Sequence, residues 1–178
     1  MVRRAGLAAA SVRAVAEEAG LSVGSLRHYF GEQRELQVYA FRLIIERYDR
    51  RLAEVDPALP LRERIEQVMW ALLPVTPEQV EEEQVRLEFL VQSRIDPRLS
   101  AIVDDDRAEG LEMIREMLRL LREAGQCRAD IDVEATAVEF LALLDGLAQA
   151  AAINPATMPG DRLKQASRRW LDNLAAPH

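Results

Sequence analysis

The sequence predicts an all-α protein. Helical periodicity runs almost from end to end, strand signals are almost absent, and Pro- or Gly-containing breaks separate the periodic segments. At 178 residues the chain suffices for one domain of ordinary size, or a small domain joined to a larger one. A hydrophobic content of 49% with mixed charges marks a globular chain rather than a disordered one.

The first periodic segment is SVRAVAEEAG, with Val12, Val15, Ala16 and Ala19 at i, i+3, i+4 and i+7. Ser11 suits its N-cap, and Gly20 can end it in a left-handed conformation. Leu21 and Ser22 form a very short turn; Ser22 caps a second short helix, which Gly31 ends. A longer helix is expected from Glu32 to Val55, burying Leu36, Tyr39, Ala40, Leu43, Ile44 and Tyr48. DPALP at 56–60 then breaks the chain, and a boundary placed there gives domains 1–55 and 56–178. Further helices are expected at 61–73, 77–93, 98–124, 132–153 and 160–175, about eight in all. Their separators are Pro74 and Pro77, Asp96 with Pro97, AGQCRAD at 124–130 and NPATMPG at 154–160.

No apolar run is expected to reach the roughly 18–20 residues of a membrane span, and no signal-peptide core stands at the N-terminus. The expectation is a cytoplasmic protein with no membrane partner. Cys127 is the lone cysteine and suits a reducing compartment. With it and two histidines no ordinary structural zinc site can be built, so no metal or other cofactor is expected. The net charge of −7 is unevenly spread. Residues 1–55 hold nine Lys/Arg against seven Asp/Glu, whereas 56–178 hold fourteen against twenty-three. A mildly basic part on an acidic body points to different partners for the two.

The basic part contains GLSVGSLRHYF at 20–30. At about 100° per residue, Leu26, Tyr29 and Phe30 share one side of its helix, while Gly24 and His28 lie opposite with Ser25 and Arg27 on the flanks. Two short helices joined by so tight a turn form a helix-turn-helix. The polar side fits a major groove: arginine can fork onto guanine, serine can reach a base or phosphate, and glycine permits close approach. On spacing alone, an ordinary helical hairpin with a solvated polar face is an equal reading.

The residues themselves go further. The stretch SVRAVAEEAGLSVGSLRHYFGEQRELQVYAF resembles the DNA-binding segment of the TetR family of transcriptional regulators. The features that carry it include Ser11, Ala16, Ala19, Gly20, Ser22, Gly24, Ser25, Leu26, Tyr29, Phe30 and Gly31. The resemblance implies double-stranded DNA as a partner, with Ser11, Ser22, Ser25, Arg27, His28 and Tyr29 touching phosphates or bases. Val23 and Gln33 stand where the family often has phosphate-binding lysines, so Arg13, Arg27 or the pair Arg3 and Arg4 have to compensate. Family members also have a complete first helix, for which the residues before Ser11 are too few. Apolar surface around Val15, Leu26, Phe30 and Leu36 is then left to be covered otherwise.

Beyond residue 56, the stretches at 86–118 and 138–153 resemble the C-terminal domains of a subgroup that includes betaine-responsive repressors. That resemblance implies a ligand-responsive repressor of a palindromic operator, with a four-helix homodimer interface. Leu144, Leu147 and Ala151 on one helix and Leu163, Trp170 and Leu174 on the next fit the interface; intramolecular core is the alternative. It also implies a pocket for a small-molecule effector. Trp70, Phe89, Met113, Met117 and Phe140 could line it, although each also reads as plain core. Because few polar residues stand among them, the effector is expected to be largely apolar. A second overall reading keeps the architecture as a ligand-binding or interaction dimer that has lost DNA binding.

Three other readings fail on spacing. Glu81–Glu83 and Asp104–Asp106 cannot converge on one metal ion from consecutive helical positions and are expected to be solvated. Cys127, in a short polar loop beside Arg128, makes a poor redox sensor. No nucleophile–base–acid set can be assembled around the two histidines, so catalysis is not expected.

Overall fold

A computed structural model describes residues 33–175. Among them it holds six α-helices and no strand: α1 Gln33–Ala53, α2 Leu61–Leu72, α3 Pro77–Ser93, α4 Pro97–Glu123, α5 Val133–Ile153 and α6 Gly160–Leu174. The all-α expectation holds, and each of α2 to α6 ends within a residue of its expected bounds. The two short helices expected before residue 31, and the question of a first helix, lie outside the described residues.

The bounds follow from local chemistry. Thr76 and Gln79 form a reciprocal capping box at the start of α3, with Pro77 as its first residue. Asp96 accepts from the Arg98 amide before α4, and Asp132 accepts from Glu134 and Ala135 before α5. The α4 C-terminus is closed by Gly125 at φ 66°, with Gln126 N–H donating to Leu121 O at 2.9 Å. A left-handed residue is needed there, and glycine adopts it without strain.

Two apolar clusters hold the helices together. The larger joins α2, α4, α5 and α6 around Met69, Leu118, Leu121, Phe140 and Leu163. The smaller joins α1 to α3 and α4 through Phe41, Ile44, Val85, Phe89, Leu99 and Val103. Phe41 and Phe89 stack at 4.0 Å between centroids. The buried face of α1 therefore differs from the expected stripe. Phe41, Ile44 and Gln37 are buried, whereas Tyr39 is 48% exposed. The expected stripe mixed two faces, because α1 is apolar around much of its circumference.

Several placements correct the sequence reading. By length and hydropathy α5 does qualify as a membrane-spanning helix, yet it packs centrally against α3 and α4. Leu144, Leu147, Ala151, Leu163 and Leu174 are buried inside one protomer, and Trp170 stacks on Phe140 at 3.9 Å. These side chains pack within the chain itself, Trp170 only partly buried. The outward face of α5 is the other one: Ala135, Val138, Ala142, Gly146, Gln149 and Ile153 are all exposed. Cys127 is buried rather than set in an open polar loop, and burial pushes its thiol pKa up. A thiol so placed is unreactive.

Gly160 starts α6 so close to the α2–α3 connection that an added Cβ would stand 2.2 Å from Val75 O. Gly160→Ala is accordingly expected to destabilise the chain by about 1–3 kcal/mol. Gly110 lies within α4 with nothing within 4 Å of an added Cβ. Gly110→Ala should stabilise by about 0.5–1 kcal/mol by improving helix propensity. Urea midpoints of the two variants check both signs.

Candidate functional site

The acidic run on α3 was expected to be solvated, and the structure overturns that. Glu82 is 4% exposed and Glu83 is fully buried. The reason is the α1 sequence Arg47, Tyr48, Arg51, which presents donors one turn apart to the adjacent carboxylates. Arg47 pairs with Glu82 Oε1, and Arg51 Nη1 reaches Glu82 Oε2 at 3.1 Å. Arg51 Nε also donates to the Ala71 carbonyl of α2 at 2.9 Å. Tyr48 donates its hydroxyl to Glu83 Oε2 at 3.1 Å. Arg86, one turn along α3, grips Glu83 with two bonds of 2.7 and 2.8 Å.

Burial opposes the charge on Arg86, but hydrogen bonding to Glu83 and the glutamate's charge overcome it, so its pKa is raised. Burial and then the charge of Glu83 push the Tyr48 phenol pKa up, so it remains a hydrogen-bond donor.

Tyr48, Glu83 and Arg86 also face a cavity of about 310 Å³, open to solvent on one side and lined by α1 to α5. Its apolar wall includes Ile45, Leu52, Leu72, Met113, Leu141 and Ala148. Its charged wall is mostly acidic. Asp145 takes Arg107 Nη1 at 2.7 Å and lies 3.5 Å from Arg86 Nη2. Asp49 and Glu109 are exposed at the rim. Asp106 is half-buried and makes no hydrogen bond or ion pair among the described residues. Burial raises its pKa, while Arg86 pulls the other way. No group of three or more potential metal ligands occurs among the described residues.

Of the expected pocket residues, only Met113 lines the cavity. Phe89, Met117 and Phe140 are core. Trp70 instead turns toward α6, with Arg168 and Lys164 at 4.5 and 5.1 Å from its ring and its indole N–H unpartnered. Leu144, expected at an interface, is part of the cavity wall. The expectation of a largely apolar effector rested on core residues and loses that support. Tyr48, Glu83, Arg86, Asp106 and Asp145 were missed; Asp145, a carboxylate inside the apolar α5 sequence, was the available signal. The expected DNA contacts Ser11, Arg13, Ser22, Val23, Gly24, Ser25, Arg27, His28 and Tyr29 lie outside the described residues. Gln33 is the first residue of α1.

Comparison with known proteins adds the following. Residues 60–176 match the family described as BetI-type transcriptional repressor, C-terminal. Residues 2–38 match that described as bacterial regulatory proteins, tetR family. The HTH-type transcriptional regulator PksA of Bacillus subtilis (strain 168) is 30% identical over 171 residues, covering 95% of this chain and 82% of PksA. A transcriptional regulator from Rhodococcus sp. Rha1 superposes with a TM-score of 0.81 at 30% identity, covering 97% of this chain and 89% of that one. A regulator from Saccharomonospora viridis, solved in complex with choline, shares the fold with a TM-score of 0.88 at 21% identity, covering 99% and 92%.

The ion-pair cluster makes its own prediction. Glu83→Leu leaves the largely buried Arg86 guanidinium with only its 3.5 Å contact to Asp145 and should cost up to about 3–5 kcal/mol. Adding Arg86→Met to that variant should recover most of the loss, because no buried charge is then left unpaired. Urea denaturation of the two single variants and the double variant provides the cycle.

Proposed function

This chain belongs to the TetR family of bacterial transcriptional regulators, and on that premise we propose that it is a cytoplasmic, dimeric repressor. It binds a palindromic operator through residues 11–33 and releases it when a small molecule occupies the cavity. The observation that carries this reading is the position of α1. Its first residues, 33–38, lie within the segment matched to the tetR family, and its last two turns form one wall of the cavity. A ligand that prefers one placement of that wall biases the placement of the DNA-reading segment. The choline held by the Saccharomonospora viridis regulator supports small-molecule occupancy of this fold.

In this reading Arg27 forks onto a guanine edge or clamps a phosphate, flanked by Ser25 and His28, with Ser11 and Ser22 on phosphates. Selection of bound fragments from genomic DNA, followed by anisotropy titration, should yield a two-fold symmetric site with half-sites roughly 34–36 Å apart. Arg27→Ala should weaken that binding by about 1–3 kcal/mol if it reads a base. If it holds only phosphate, the salt slope should fall by about one unit. Unchanged affinity and unchanged slope would remove Arg27 from the interface.

The second copy is proposed to dock on the outward face of α5. Val138 and Ile153 are 55% and 71% exposed there, and Ala142 and Gly146 between them permit close helix approach. A side chain added at Gly146 meets nothing within 4 Å inside the protomer. Gly146→Arg should therefore leave the protomer folded but convert the dimer to monomer in sedimentation velocity. A variant that stays dimeric places the interface elsewhere.

A further inference from the structure

The cavity has two guanidiniums on its wall, and both are already paired. Arg86 is held by Glu83, and Arg107 by Asp145. Asp106, facing the same space from α4, makes no hydrogen bond or ion pair among the described residues, and Arg86 and Arg107 act on it only through longer-range charge. A carboxylate partly withdrawn from water gains most from a cation that brings hydrogen-bond donors, since charge-assisted bonds are the strong ones.

The kind of cation is constrained by what the wall lacks. Quaternary ammonium ions are recognised by several aromatic ring faces. Among the described residues this cavity is lined by one aromatic ring, Tyr48, and the Arg51 guanidinium carbon already sits 4.6 Å from its centroid. Tyr48 also donates its hydroxyl to Glu83. The rest of the wall is aliphatic or charged. Such a wall suits an ammonium group with N–H bonds on an aliphatic body, rather than a quaternary one.

We infer that the effector is a protonated aliphatic amine whose N–H groups donate to Asp106 while its carbon chain lies against Leu52, Leu72, Met113 and Leu141. This rests on the reading of the cavity as the effector site. The volume of about 310 Å³ holds a six-carbon amine with room to spare.

A matched series tests it on the full-length chain by isothermal titration at neutral pH: hexylamine, hexyltrimethylammonium and 1-hexanol. Hexylamine is protonated there, as lysine is. It is expected to bind at least ten-fold more tightly than either of the others. Asp106→Asn should abolish that preference, and Asp106→Glu should retain part of it. No binding of hexylamine, equal or tighter binding of hexyltrimethylammonium, or a preference unchanged in Asp106→Asn overturns the inference. Met113→Trp, which puts a bulkier side chain into the space the carbon chain would occupy, separates this failure from that of the broader reading. If 1-hexanol binds the wild type but not Met113→Trp, and the amine has no advantage, the amine inference falls and the cavity reading stands. A compound that releases DNA equally from the wild type and Met113→Trp instead removes the cavity as the effector site.

Discussion

The position of α1 depends on two adjacent carboxylates buried on α3. Glu82 and Glu83 are taken out of water, which is unfavourable unless every charge finds a partner. Arg47, Arg51 and Tyr48 of α1 supply three of those partners, and Arg86 of α3 supplies the rest. Turning α1 about its axis breaks all three interhelical contacts together. The helix is thereby fixed in register as well as in proximity.

Apolar contact alone would not do this. The cluster of Phe41, Ile44, Val85, Phe89, Leu99 and Val103 draws α1 onto α3 and α4, but burial of apolar area has no strong directional preference. The larger cluster around Met69, Leu118 and Phe140 does not include α1. This helix is thus held by the smaller core, the polar cluster and its packing against α2. Because Tyr48 and Glu83 are shared between that cluster and the cavity wall, the seating of α1 and the shape of the cavity change together.

Much of the architecture was legible in the sequence because helix ends carry local signals. Thr76 with Gln79, Asp96 with Pro97, and Asp132 each satisfy the first amides of a helix, and those signals do not depend on tertiary contacts. Faces were less legible. In α5 apolar residues surround the helix, so periodicity could not separate Leu144 and Leu147, which turn inward, from Val138 and Ile153, which turn out. The cavity was the least legible. Three consecutive glutamates read as a solvated face, but the burial of Glu82 is made tolerable by arginines from a helix some thirty residues earlier, and that of Glu83 by Tyr48 of that helix and Arg86 of its own. Asp106 and Asp145 acquire their setting in the same way, from helices distant in sequence.

The most direct test of this account is hydrogen exchange along α1 in the full-length chain carrying Glu82→Gln and Glu83→Gln. If the two carboxylates hold α1 in place, amides of residues 41–52 should exchange at least about ten-fold faster than in the wild type, the equivalent of one lost charge-assisted hydrogen bond. Amides of residues 144–151 in α5 should keep their protection. Unchanged exchange in α1, or an equal loss of protection in both helices, would contradict it.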